Sequence, residues 1–252
     1  MRSRVLPAIL VGILCLSLAC RGGRLLRQYE YEEDVYLDLD GSATVIVNAS
    51  VPALIALRGL DLPADAGARL DRDRVRAAYE SSATDVKRVS RPWRRSGRRF
   101  VQIRMEVDDI RKLPSAPPFD WSEYSLTPTP EMHVFRQVVR GQPRQAPAGA
   151  GWDGRELIAF RLHLPSRIHH HNVRDVETNA TGEVGRGNIL TWEQRLIDRL
   201  AGKPLEMEAR MDRQSILYRT LRLFAGAFAA AVLLLGGIVW WVGRKRRPMP
   251  NA

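Results

Sequence analysis

Cysteine is the scarcest reactive side chain in this sequence. The chain of 252 residues carries two, Cys15 and Cys20, so no disulfide can staple the body of the chain. No thiol is available there as a nucleophile or a metal ligand. Histidine numbers five, and no spaced His or Cys set completes a four-ligand zinc site. The nucleophile elbow G-x-S-x-G, the phosphate loop G-x-x-x-x-G-K-[ST] and the metalloprotease H-E-x-x-H are missing, as are internal repeats. These absences nominate no catalytic residue, no metal and no cofactor, and the expectation is a protein that is not an enzyme.

Positive charge is in excess, but not where a nucleic-acid binder needs it. The formal net charge is +11, from 39 Lys and Arg against 28 Asp and Glu. Eight of those bases, Arg2, Arg4, Arg219, Arg222, Arg244, Lys245, Arg246 and Arg247, flank two terminal apolar segments. Residues 21–218 keep the other 31 bases and all 28 acids, a net of only +3. The excess is a topological signal, and no nucleic acid is expected as a partner.

Long apolar runs are few. "MRSR" followed by "VLPAILVGILCLSLA" reads as an export signal over residues 1–19, with a basic start and an apolar core. Cys20 then stands where lipoprotein processing would acylate it, although Ser17 and Ala19 also suit ordinary cleavage. Residues 20–28 make a membrane-proximal linker. Residues 223–243 run without a charge, enough to cross about 30 Å of hydrocarbon. Trp240 and Trp241 sit where an aromatic belt would lie, and "RKRR" supplies a cytoplasmic flank. The expected organisation is an exported domain over 29–213, a juxtamembrane and transmembrane helix over 214–243, and a basic cytoplasmic tail over 244–252. That describes a single-pass protein of a bacterial cell membrane with its main domain on the extracytoplasmic side.

The exported part alternates with period two. In "VYLDLDGSATVIVNASV", Val35, Leu37 and Leu39, then Val45, Val47, Ala49 and Val51, share one parity around Asp40-Gly41. This predicts a hairpin. "VPALIALRG" predicts a helix with Pro52 in its first turn and Gly59 as its stop; "LDRDRVRAAYES" predicts another, capped by Asp71. A second hairpin turns at Ser96-Gly97, with Val101, Ile103, Met105 and Val107 on one face. "MHVFRQVV", "ELIAFRLHL", "NILTWEQ" and "PLEMEARM" are further strands, and "QPRQAPAGA" between the first two is the expected internal seam. The fold class is α+β: one domain with a curved, mainly antiparallel sheet and a few short helices, followed by a single C-terminal transmembrane helix.

Two stretches invite chemistry. "RIHHHNV" places His169 and His171 on one strand face with His163 nearby; lacking further ligands, it reads as a surface histidine cluster. "KRVSRPWRRSGRRFVQIR" holds eight bases and no acid from Lys87 to Arg104. Around its turn Arg91, Trp93, Arg94, Arg95, Arg98, Arg99 and Arg104 form a candidate site for anionic lipid or an acidic partner. The plain alternative is a charged edge hairpin that resists aggregation.

Export signal, Cys20, strand-rich domain, span and basic tail follow one another in a characteristic order. With "DLDGSATVIV" and "FRLHLPSRIHHHNVRDVETNATGEVGRGNILTWEQRL", this order resembles the LppM-type family of bacterial membrane-anchored lipoproteins. The resemblance implies an α+β exported domain in contact with envelope lipids, Cys20 as the lipidated position, and no catalytic residues to carry over. The functional expectation is a non-enzymatic, membrane-tethered envelope protein that binds lipid headgroups or an acyl ligand. The alternative is an accessory interaction subunit of a cell-envelope membrane complex.

Overall fold

The computed structural model describes residues 27–65 and 67–245. The expected export signal over 1–19, Cys20 with most of the expected linker, and most of the expected basic tail lie outside them.

Strand β1 (Tyr29–Leu37) turns through Asp40 and Gly41 into β2 (Ala43–Ser50). Gly41 adopts φ 99°, a conformation open to glycine and costly for side-chain-bearing residues. Asp40 steadies the turn by accepting from the Ser42 amide at 2.9 Å. Ser50 ends β2 and caps α1 (Val51–Arg58), its hydroxyl accepting from the Ala53 amide at 3.2 Å; Gly59 at φ 64° ends the helix. Helix α2 (Arg72–Tyr79) starts at Asp71, whose carboxylate accepts from the amides of Asp73 and Arg74, and buries Val75 and Tyr79. Strands β3 (Asp85–Val89) and β4 (Trp93–Arg95) both pair with β5 (Arg98–Val107). Two 3-10 turns, Ile110–Ser115 and Pro117–Phe119, lead to the hairpin of β6 (Ser122–Pro128) and β7 (Met132–Val139). Then come β8 (Leu157–His163), β9 (Ile168–His171), β10 (Ile189–Arg195), α3 (Leu196–Leu200), β11 (Leu205–Asp212) and α4 (Ile216–Lys245).

The strands make two open sheets rather than the one expected. Seven belong to a sheet ordered β10-β8-β1-β2-β5-β3, with β4 also on β5; four form β6-β7-β11-β9. Every strand pair is antiparallel except β1 with β8. Those two are parallel because the chain visits the second sheet between them, a connection no hairpin could make. The Pro/Ala-rich seam over 142–150 is that passage from β7 to β8. Apolar residues of both sheets and of α1 make one continuous core.

Helix α4 includes Ile216–Val242, long and apolar enough to cross a membrane, and none of it is buried in the domain. Its root is tied to the end of β8: the Ile216 amide donates to the Pro165 carbonyl at 2.9 Å, and Ser166 Oγ donates to the Gln214 carbonyl at 2.9 Å. The registers then orient the large sheet. Tyr36 pairs with His163, and Leu37 with Ala43, which in turn pairs with Val107; these lie at the root end. Ser50 pairs with Phe100, Phe100 with Trp93 and Tyr29 with Leu157, all at the opposite end. The ten residues of β5 separate the two ends by about 30 Å at ~3.3 Å per residue.

Candidate functional site

The basic hairpin occupies the end remote from the α4 root. Its turn, Ser96 at φ 50° and Gly97 at φ 74°, has both central residues left-handed, the geometry that matches strand twist in a tight hairpin. Ser96 Oγ donates to Gln28 Oε1 at 3.0 Å.

The seven residues nominated from sequence divide into two sets. Three arginines are absorbed by the fold. Arg95 donates to the Tyr29 carbonyl at 2.5 Å and lies 4.3 Å from the centre of the Phe100 ring. Arg98 pairs with the buried Glu30 at 2.9 Å and donates to the Gly151 carbonyl at 2.9 Å. Arg99 is buried, donating to the Pro63 carbonyl at 2.6 Å and to the Ala68 carbonyl. Burial lowers its pKa, because the charged form has lost its water. The other four face outward. Arg91, Arg94 and Arg104 are exposed, and Trp93 is 39% exposed while stacking on Phe100 with ring centres 6.0 Å apart.

Across β3 and β5, Arg104 stands directly opposite Arg88, both exposed. Like charges in register destabilise a sheet, so stability alone gives no reason for this pair. That pair lies in the half of the sheet nearer the α4 root, three residues from Val107 on β5. Trp93 and Arg94, with the exposed Arg91 close by in the chain, form the outward cationic face of the hairpin end.

A second polar constellation lies where sequence reasoning placed only core. Glu33 shares the parity of Tyr31, Val35 and Leu37, and its carboxylate is fully buried. It accepts from Arg58 Nη2 at 2.7 Å, Tyr31 at 2.9 Å, Tyr124 at 2.7 Å and Gln137 Nε2 at 3.0 Å. Arg58 lies over Trp121, 3.9 Å from its ring centre, with Tyr31 and Phe119 close by. Burial lowers the Arg58 pKa, but Tyr31, Glu33 and the neighbouring tyrosines outweigh it and hold the group above its ordinary value. Burial, foremost, raises Tyr31 and Tyr124 well above the tyrosine range. Glu33 and Tyr31 come from β1, Arg58 from α1, Tyr124 from β6 and Gln137 from β7. The cluster therefore pins the two sheets and α1 together, with every carboxylate oxygen occupied by protein. The readable signal was Glu33 itself, an acid on the apolar parity of β1.

Arg199, beside the same Trp121, is buried and donates to the carbonyls of Val139 and Arg140. Burial, and then the charge of Arg58, lowers its pKa to about 10.

The outer face of the large sheet carries a ladder of paired charges. Arg161 reaches Glu32 at 3.4 Å and Asp34 at 3.6 Å; His163 lies 3.3 Å from Asp34 and stacks on Tyr36. Arg27 pairs with Glu193 and, at 3.3 Å, with Asp175. The histidines singled out in the sequence separate: His163 belongs to this ladder, whereas His169 on β9 pairs with Asp212 at 2.6 Å. Among the described residues no three His, Cys, Asp or Glu side chains converge as a metal site.

No family model, curated protein or solved structure matches the chain.

Proposed function

We propose that the chain is a single-pass membrane protein whose exported domain is an interaction module, presenting its basic end to an acidic protein partner in the cell envelope. One observation carries this reading: the α4 root and the outward cationic face lie at opposite ends of the large sheet, about 30 Å apart. With α4 in the bilayer and the strands upright, Trp93 and Arg94 lie at the end away from the membrane.

A second reading, headgroup binding, is favoured by the exposed Trp93 among arginines, a composition suited to a lipid interface. Cys20 separates the two. Tyr29 lies at the remote end, and the nine steps from Cys20 reach at most about 30 Å, roughly the length of the sheet. Acylation of Cys20 in the same bilayer would therefore draw the remote end down and tilt the hairpin toward the headgroups. Without it the domain is free to stand upright. In either case the order of parts keeps kinship with the LppM-type family as part of the proposal.

Crosslinking in native membranes tests the reading. Wild-type chain should capture a defined protein partner, and Arg94→Gln with Trp93→Ala should lose it. Crosslinks to lipid alone, unaffected by those changes, would defeat the partner reading.

A further inference from the structure

We infer that a concavity beside the hairpin, between the residues that lead into α2 and the Arg91–Pro92 bend, is a binding site for a phosphate group. It encloses about 590 Å³ and is lined by Arg69, Arg72 and Arg91 with Ala68, Asp71 and Asp73. That volume falls in the range of about 300–1,000 Å³ of ligand clefts. The inference deepens the reading of this end as an anion-recognising surface and rests on it.

Three features carry it. The guanidiniums of Arg69, Arg72 and Arg91 make no hydrogen bond or ion pair among the described residues, whereas their neighbours Arg74, Arg95, Arg98 and Arg99 are all engaged. Three planar, permanently charged groups around one concavity match phosphate, which takes bidentate hydrogen bonds from each. The three arginines outnumber the two acids of the wall, Asp71 and Asp73, by one. Asp71 is committed to capping, accepting from the amides of Asp73 at 3.0 Å and Arg74 at 3.1 Å. Because those amides are capped, the helix end itself offers no anion site and the arginines must supply the recognition.

The third feature is Arg99. It is 5% exposed, its Nε has no hydrogen-bond partner, and it donates to the carbonyl of Ala68, a wall residue of the concavity. No carboxylate lies within ion-pair distance of it among the described residues; Asp65, farther off, favours its charge without outweighing burial. A buried cation without a carboxylate is costly, and a bound anion nearby would offset that cost. Arg99 is a positioning residue here, tying the wall to β5. Arg69 and Arg72 lie outside the basic run, and only the packing of α2 against β3 brings them to Arg91.

The test uses the full chain in nanodiscs of phosphatidylcholine, titrated calorimetrically with inorganic phosphate and with methyl phosphate. Binding is expected at millimolar concentration or below. Arg69→Gln, Arg72→Gln and Arg91→Gln should each weaken it about tenfold or more, with unchanged melting temperatures. Arg155→Gln, an exposed arginine paired with Asp153, should bind as wild type. Adding phosphatidylglycerol to the nanodisc identifies the source. Suppressed titration means that headgroups fill the site, and an unchanged titration means that the ligand is a soluble or partner-borne phosphate. No binding at millimolar phosphate, or wild-type binding by all three variants, overturns the site. If phosphate fails while Arg94-dependent crosslinking persists, only the site is wrong. If phosphate binds and no such crosslink forms, the site stands and the partner reading falls.

Discussion

Removing the cation from the buried Glu33 cluster isolates the interaction that joins the two sheets. Both side chains of the Glu33–Arg58 pair are fully inaccessible to solvent and 2.7 Å apart. Arg58→Met keeps most of the volume over Trp121 but leaves a buried carboxylate with only neutral donors. Breaking a buried pair from one side costs about 3–5 kcal/mol, and loss of the stack on Trp121 adds about 1 kcal/mol. Glu33→Gln leaves the converse, a buried guanidinium facing an amide, and is expected to cost about 2–4 kcal/mol. The double variant removes both charges of the pair, and the amide at position 33 can still accept from Tyr124. It should therefore be destabilised by at least about 2 kcal/mol less than the sum of the single variants. Urea unfolding of the full chain in neutral micelles, followed by tryptophan fluorescence, reads this through Trp121. If the single costs add to within about 0.5 kcal/mol, the two groups do not act as a buried ion pair and the pin between the sheets is misassigned.

Three further outcomes follow from the same geometry. Arg104→Gln relieves the repulsion with Arg88 and should raise stability by up to about 1 kcal/mol while leaving partner capture unchanged; a loss of stability on urea unfolding would refute the like-charge argument. Arg98→Gln breaks the contact with buried Glu30 and should cost about 1–3 kcal/mol, separating the structural arginines of the hairpin from the outward ones. Acidification should destabilise the domain through His133 and His171. Burial lowers both pKa values, with Arg213 adding at His133 and His170 at His171. The unfolded chain then binds protons first, so this stability is complete above about pH 6.5 and is lost as pH falls through the lower folded values. Melting temperatures between pH 7.5 and 5 should fall less steeply in His133→Gln and His171→Gln than in wild type, and parallel profiles would exclude the two groups.

Much of the fold was legible because its signals are local. The β1–β2 and β4–β5 hairpins, the caps at Ser50 and Asp71 and the stop at Gly59 each follow from a few adjacent residues. Strand β3, "DVKRV", escaped because two buried positions, Val86 and Val89, are too few to show a period. In β6 only Tyr124 and Leu126 mark the apolar parity, and its other buried position is Ser122. The parallel β1–β8 pair and the split into two sheets depend on contacts far apart in sequence, which alternation cannot reveal. The same limit governs the site. Arg98 and Arg94 look alike in the run, yet one sits above Glu30 and the other faces solvent. Arg69 and Arg72 carry no local mark that they meet Arg91. Alternation likewise does not show that Glu30, Glu33 and Asp34 are buried: Glu33 lies in the core, and Glu30 and Asp34 are screened by Arg98, Arg161 and His163.

The central claim is that the basic end stands away from the bilayer that holds α4. The most direct measurement is the height of the hairpin tip, read by energy transfer from a fluorescent amino acid in place of Ser96 to acceptor lipids, using full chain from its own membrane. The sheet contributes about 30 Å and the helical steps from Ile216 to the apolar run about 10 Å. A tip about 40 Å above the edge of the hydrocarbon is therefore expected, and a tip at headgroup level would contradict the account.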